Sequence, residues 1–344
     1  MKAAVIKEFG QPLVIEEVAD PIASDNGVVV KVEANGICRS DWHTWMGHTP
    51  NVTLPHVPGH ELAGTVKSVG RDVKNWKIGD RVTVPFVVAC GSCHQCHSGE
   101  HQVCNNQFLP GFNAWGSFAE EVAINYADVN LVALPEGMSY AAAASLGCRF
   151  TTAFRALVQQ GKIAPGEWLA VHGCGGVGLS AIMIGVAAGA NVIAVDIDDE
   201  KLAFAKQLGA VALINANQVK SVPGAIMGQS GGGAHVSLDA LGSPITCRNS
   251  IRCLRTHGRH VQVGLMMDST DAVPMDRVIS KELTLLGSQG MAAYKYPELL
   301  QMVAQGTLEP EKLVQNTVNL EQGVDILQSF DQFPSLGVTV ITEF

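Results

Sequence analysis

The stretch Val171-His172-Gly173-Cys174-Gly175-Gly176-Val177-Gly178 decides the fold. It follows the apolar run 168–172 and opens a segment rich in alanine, isoleucine and valine that reaches Ala188. A G-x-G-x-x-G turn between a strand and a helix is the setting in which this pattern binds a dinucleotide. Gly173 permits the tight turn, Gly175 lets a pyrophosphate approach the backbone, and Gly178 lets the helix lie close to the strand. Gly176 and Val177 start the helix, whose free N–H groups and positive dipole end suit phosphate. Taken alone, the pattern fits a purely structural glycine turn equally well. A second residue breaks the tie. Asp196 stands 18 residues after Gly178, at the end of the next apolar run, 191–195. An acid there accepts hydrogen bonds from the adenosine ribose hydroxyls and repels a 2′-phosphate. Ile197-Asp198-Asp199 brings no arginine to bind such a phosphate, so the cofactor reads as NAD rather than NADP. Lys201, further along, either touches the same ribose or is an ordinary surface lysine.

Outward from the turn, the pattern alternates. Helix is expected over 201–208 and 243–254, and short strands over 212–214, 234–239, 260–264 and 283–287. Strands alternating with helices predict a parallel sheet covered on both faces. The first 140 residues differ: β-branched runs at 28–32, 82–84 and 122–124 are punctuated by Gly and Pro, as in short strands joined by turns. Helix is expected again over 141–144, 152–160 and 297–304, and strand over 337–342.

A chain of 344 residues suggests two domains at roughly 150 residues each. Hydrophobic residues at 47% against 16% charged exclude wholesale disorder. A net charge of −9 argues against a nucleic-acid binder, which needs Lys and Arg to neutralise phosphates. The N-terminal residues lack the apolar core of a secretory signal. The stretch 169–195 is long enough for a membrane span, but four glycines of the turn and Asn191 interrupt it and no basic flank supports it. A cytoplasmic protein with no membrane or nucleic-acid partner is the expectation.

The nine cysteines are unevenly spread. Cys90, Cys93, Cys96 and Cys104 follow C-x2-C-x2-C-x7-C, a spacing that lets four thiolates surround one tetrahedral zinc. Such a site is closed, leaving no position for substrate, so its role is structural. An iron–sulfur site or disulfides are the alternatives, and the spacing matches a ferredoxin run only partly. Three further residues draw notice: Cys38 in Cys38-Arg39-Ser40-Asp41-Trp42-His43, His60 in Gly59-His60-Glu61, and Cys148 in Gly147-Cys148-Arg149. Two cysteines, a histidine and a water make an open catalytic zinc site. Their separation in sequence does not establish one, and each alone reads as readily as a buried cysteine or a turn histidine.

These motifs, in this order and over essentially the whole chain, resemble the zinc-dependent alcohol dehydrogenases of the medium-chain dehydrogenase/reductase superfamily. The resemblance implies a mostly β, GroES-like catalytic domain over 1–149 and 288–344, and a doubly wound Rossmann cofactor domain over 150–287. It implies two zinc ions per chain, with Cys38, His60 and Cys148 holding the catalytic one. Hydride would pass reversibly between a primary or secondary alcohol and NAD; a reductase of aldehydes or ketones using NAD(P)H is the alternative within the superfamily. Ser40 would sit on the substrate oxygen and His43 would pass its proton outward, unless His43 is a plain surface histidine. Asp41 would orient His60. Glu61 either approaches the metal from behind or is a buried structural carboxylate. Arg39 would meet the pyrophosphate, Thr152 the nicotinamide, and Val263 and Ser288 the carboxamide through their backbones. Phe86, Trp45 and Leu265 would line an apolar pocket suited to aliphatic or benzylic alcohols. The length and the four-cysteine loop resemble homotetrameric members, with a dimer as the alternative.

Overall fold

A computed structural model describes residues 1–267, 270, 272–331 and 336–344. The chain forms two compact units. One comprises Met1–Thr151, Gly290–Gln305 and Pro310–Phe344, and the other Thr152–Gln289 with Gly306–Glu309.

In chain order the first unit contributes β1 (Lys2–Val5), β2 (Val14–Glu17), β3 (Val28–Gly36), β4 (Glu61–Val69), β5 (Arg81–Thr83), β6 (Glu121–Ile124) and β7 (Val132–Ala133). The second contributes β8 (Trp168–His172), β9 (Asn191–Asp196), β10 (Ala212–Asn215), β11 (Ala234–Asp239), β12 (Leu254–Gln262) and β13 (Thr284–Gly287). The chain then returns to the first unit with β14 (Val314–Asn319) and β15 (Val338–Glu343).

In the first unit the strand order is β14-β15-β3-β4-β5-β7, with β6 also beside β3. All its pairs are antiparallel except β14 with β15. Val28, Val30 and Val32 fall on one face of β3 and pack with Leu62, Val66, Val82 and Val84. Each fully buried side chain of this size contributes about 1.5–3 kcal/mol relative to exposure. The register matters for function. Gly36 pairs with Glu61, so the exit of β3 and the entry of β4 are neighbours. Cys38 lies just beyond the first and His60 just before the second.

In the second unit six parallel strands run β10-β9-β8-β11-β12-β13. The chain winds outward from β8 to one side, then returns and winds to the other. The order therefore reverses beside β8, where open α/β sheets bind their ligands. Leu169, Ala170, Val171 and Val192 to Ala194 are completely buried, as strands covered on both faces require.

Two sequence readings need correction here. The helix expected over 243–254 is Pro244–Arg252, and β12 begins at Leu254 rather than 260. Its first half carries His257 at φ 58° and an irregular register against β11, which erases the alternation that marks a strand. The helix Val222–Ser230 was not anticipated, because Gly224, Gly228 and Pro223 weaken its propensity. Pro223 sits harmlessly in the first turn, and Ser221 accepts the Gly224 N–H at 3.2 Å.

Candidate catalytic and structural metal centres

Four elements deliver the first cluster. Cys38 ends the β3 exit and opens the helix Arg39–Trp45. His60 and Glu61 lead into β4. Cys148 lies in a wide helical turn, Leu146–Phe150, that continues the helix Tyr140–Ser145. Such π-type turns recur at functional sites. One ligand atom from each of Cys38, His60, Glu61 and Cys148 falls within 4.8 Å of all the others. Two glycines make this approach possible. An added Cβ at Gly36 would meet Glu61 Oε2 at 2.4 Å, and one at Gly147 would meet the Glu61 Cα at 2.8 Å.

Asp41, completely buried, ties Cys38 and His60 together. Its Oδ2 accepts the Cys38 N–H at 3.0 Å, and its Oδ1 accepts the Gly59 N–H at 3.1 Å and the His60 Nδ1 at 2.8 Å. A carboxylate only accepts, so a His60 proton sits on Nδ1, and Nε2 is the nitrogen that a metal ion would take in exchange for its proton. His60 Nε2 is buried and has no hydrogen-bond partner among the described residues. That orphan, aimed at two cysteines, fits a metal ion. The thiol protons agree. The Cys148 thiol, donating to Cys38, holds Cys38 well below the usual thiol range, and the same contact with burial pushes Cys148 well up. Burial alone would lower His60, but the Asp41 carboxylate and the Cys38 sulfur raise it well above its usual value. Asp41→Asn is expected to weaken metal binding about 10- to 100-fold, because an amide can donate to Nδ1 and reverse the tautomer. Titration with a competing chelator measures this.

Glu61 is completely buried and faces Arg149, itself nearly so. Its Oε1 accepts from the Arg149 Nε at 3.0 Å and from the Arg149 and Cys148 N–H groups at 3.1 and 3.3 Å. Its Oε2 takes the Arg149 Nη2. Burial pushes the Glu61 carboxyl up, against the pull of the guanidinium. This carboxylate is thus anchored by Arg149 while one of its oxygens stays within 4.8 Å of the Cys38, His60 and Cys148 ligand atoms. Arg149 was not singled out from sequence, because nothing local pairs it with a residue 88 positions away.

Ser40 Oγ lies 3.8 Å from Cys38 Sγ. His43 is half-buried on the same helix, and burial lowers its pKa. Arg39 is exposed, paired with Asp331 at 3.4 Å, and its guanidinium lies over the Trp42 and Phe330 rings. Phe86 stands 6.1 Å from the His60 ring. Phe112 lies closer, at 4.8 Å, and also faces Phe86. A lone Phe in a glycine-flanked loop carries no signal, so it was missed. Trp45 departs from the pocket reading. It is buried in the core with Ala3 to Ile6 and Phe118, and its Nε1 donates to the Gln11 carbonyl at 2.6 Å.

The four-cysteine loop forms the second cluster, with its sulfurs also within 4.8 Å of one another. Adjacent Sγ atoms lie 3.5, 3.7 and 3.5 Å apart. A tetrahedron with zinc–sulfur bonds of about 2.3 Å has edges of about 3.8 Å, whereas a disulfide needs about 2.05 Å. All nine cysteines are free. Cys90 is lowered to about 5 by the backbone and hydroxyl of Ser92, while burial raises Cys96 to about 12. The backbone N–H groups of Cys90 and Asn106 point at Cys104 Sγ, at 3.4 and 3.3 Å. The loop fits a thiophilic tetrahedral ion.

In the second unit, Gly173 has φ +91°, and an added Cβ at Gly178 would strike the Gly173 carbonyl at 1.7 Å. A Cβ at Gly175 would meet nothing within 4 Å, so the space above the helix start is open. Gly176 and Val177 begin the helix Gly176–Ala187. Asp196 Oδ2 accepts the Cys174 N–H at 2.6 Å and Oδ1 accepts those of Ile197 and Asp198 at 2.8 and 3.1 Å. The acid is thereby fixed beside the turn. Lys201 follows on the helix capped by Asp198. Thr152 Oγ1 is buried without a partner among the described residues. The Val263 and Ser288 N–H groups donate to Asp239 and Gln262 carbonyls, leaving their own carbonyls as the groups either can offer. Leu265 is exposed.

Residues 24–136 match the alcohol dehydrogenase GroES-like domain, and 176–305 the zinc-binding dehydrogenase domain. An alcohol dehydrogenase of Moraxella sp. (strain TAE123) is 36% identical over 343 residues, covering 99% of each chain. The structure of the alcohol dehydrogenase TADH from Thermus sp. ATN1 superposes with a TM-score of 0.92 at 30% identity, covering 100% of both chains. That of the benzyl alcohol dehydrogenase from Acinetobacter calcoaceticus does so at 0.90 and 26% identity, covering 100% of this chain and 99% of that one. The protein is therefore an oxidoreductase belonging to the alcohol dehydrogenases of the medium-chain dehydrogenase/reductase superfamily.

Proposed function

We propose that this protein is a zinc- and NAD-dependent dehydrogenase of primary or secondary alcohols, with one catalytic and one structural zinc per chain. The observation that carries the reading is the orphaned His60 Nε2 beside Cys38 and Cys148. Zinc held by these three residues would supply Lewis acidity that lowers the pKa of an alcohol hydroxyl, and NAD would supply the hydride acceptor. The remaining chemistry belongs to the chain. Asp41 holds His60 in the ligating tautomer. Ser40 takes the alcohol's proton as it gives up its own hydroxyl proton outward, so it is left unchanged, and His43 is the outlet. The glycine turn and Arg39 bind pyrophosphate, and Thr152, Val263 and Ser288 orient the nicotinamide. Phe86 and Phe112 beside His60 favour an apolar alcohol, aliphatic or benzylic. We take the enzyme to be a cytoplasmic homotetramer, which native mass spectrometry and fractionation test.

Steady-state kinetics with ethanol, 1-hexanol and benzyl alcohol, using NAD and NADP, test the reading alongside metal analysis. NADH formation and two zinc ions per chain are expected; no turnover of any alcohol or aldehyde overturns it. Asp196 gives a sharper test. Its negative charge, fixed beside the glycine turn, would repel a 2′-phosphate bound there, where like charges cost several kcal/mol. Asp196→Asn keeps one acceptor oxygen and removes the charge. The ratio of kcat/KM for NAD over NADP is expected to fall by about 10²-fold.

A further inference from the structure

The turn after the Arg39–Trp45 helix holds a feature that the assigned chemistry does not use. Gly47, at φ +74°, reverses the chain, and the His48 N–H donates to the His43 carbonyl at 2.9 Å. The two histidines are thereby folded onto each other. Their Nδ1 atoms lie 3.1 Å apart, with ring centroids 5.4 Å apart. Thr44 and Thr49 hydroxyls, 3.2 Å apart, repeat the link one residue on. Trp42 packs edge-on against both rings, at 5.0 and 5.5 Å. His43 is half-buried, whereas His48 is exposed.

We infer that His48 is the outer half of a two-histidine proton outlet, taking from His43 the proton that alcohol oxidation releases and giving it to water. This rests on the dehydrogenase reading above. Two facing Nδ1 atoms at this distance share one hydrogen, so one ring donates while the other accepts. In the resting pair His43 carries its proton on Nδ1 and His48 on Nε2. A proton arriving at His43 Nε2 lets the His43 Nδ1 proton cross to His48 Nδ1. His48 then holds two protons and loses the Nε2 proton to solvent. Rotation or water exchange restores the starting tautomers, and no proton is gained or lost overall by the pair.

The groups around His43 agree with a base kept ready to release protons. Burial lowers its pKa, followed by His48 and by Arg39 on its own helix, while Cys38 at the strand exit and Asp331 after the last helix oppose them. Removing His48 removes one lowering influence. The sign follows: the His43 titration moves to higher pH, and with it the pH at which alcohol oxidation rises, because only neutral His43 accepts a proton.

The test compares wild type, His48→Gln and His43→Gln as zinc-loaded enzyme with NAD and ethanol. Oxidation by His48→Gln is expected to fall about tenfold in dilute buffer and to recover with added imidazole, as a solvent base replaces the lost acceptor. Its rise with pH should shift upward. Imidazole ¹⁵N spectra of the enzyme without substrate read the pairing independently: His43 should titrate at higher pH in His48→Gln. An active wild type with a His48→Gln variant of unchanged rate, pH profile and His43 titration overturns the outlet alone. A wild type that oxidises no alcohol overturns the dehydrogenase reading and the outlet with it.

Discussion

Replacing His60 by alanine is expected to lower kcat/KM for alcohol oxidation by about 10³-fold or more, the equivalent of about 4 kcal/mol of transition-state stabilisation. The size follows from what the side chain does. His60 is completely buried, and its Nε2 is the one nitrogen in a cluster otherwise made of sulfur and carboxylate. Two cysteines alone hold a divalent ion poorly at an open site, where three protein ligands are the usual minimum. The fold should survive, because Asp41 still accepts the Cys38 and Gly59 N–H groups at 3.0 and 3.1 Å. The cost is one unfilled acceptor position and a cavity, on the order of 1–3 kcal/mol. The structural loop shares no residue with this cluster, so its metal should remain. Metal analysis is therefore expected to show loss of one ion of two, with near-native circular dichroism and NAD binding. Activity within tenfold of wild type would remove His60 from the ligand set.

What could be read in advance was what is written locally. The glycine turn with Asp196 and the four-cysteine loop each lie within a few dozen residues, so their spacing carries their geometry. The scattered cluster is different. Cys38 and His60 meet because Gly36 pairs with Glu61 across an antiparallel register, which no window of sequence contains. They were legible only through resemblance. Trp45 looked like pocket wall because it follows the Ser40–His43 segment, but a helix turns about 100° per residue and points it into the core. Arg149 and Phe112 carried no signal, since burial and partner choice are tertiary facts. His48 was invisible for a related reason: its meaning lies in the Gly47 turn that folds it back on His43.

Arg149→Met is expected to destabilise the fold by about 3–5 kcal/mol, the largest stability effect of any single substitution proposed for this chain. Glu61 is completely buried, and its Oε2 has the guanidinium as its partner. Removing Arg149 leaves a carboxylate in the interior with only the two backbone N–H groups, both on Oε1. A buried charge without its counter-ion is far costlier than a lost surface pair. Lys31 and Glu33 lie 2.9 Å apart on β3, but the lysine is 60% exposed, and such pairs contribute about 0–1 kcal/mol. Lys31→Met is thus the matched control, expected to change little. The double variant Arg149→Met/Glu61→Gln separates charge from packing, because it removes the orphaned carboxylate while keeping its shape. It should recover more than half of the loss, measured as the shift in urea midpoint at constant slope. Recovery of nothing would mean that Arg149 acts through packing rather than by neutralising Glu61. The site should feel the single variant as well as the fold. The Cys148 N–H donates to the same Oε1, so a carboxylate that moves toward solvent or takes up a proton releases the backbone that aims the Cys148 sulfur. Metal affinity at the catalytic cluster should therefore fall in Arg149→Met, while the four-cysteine loop keeps its ion.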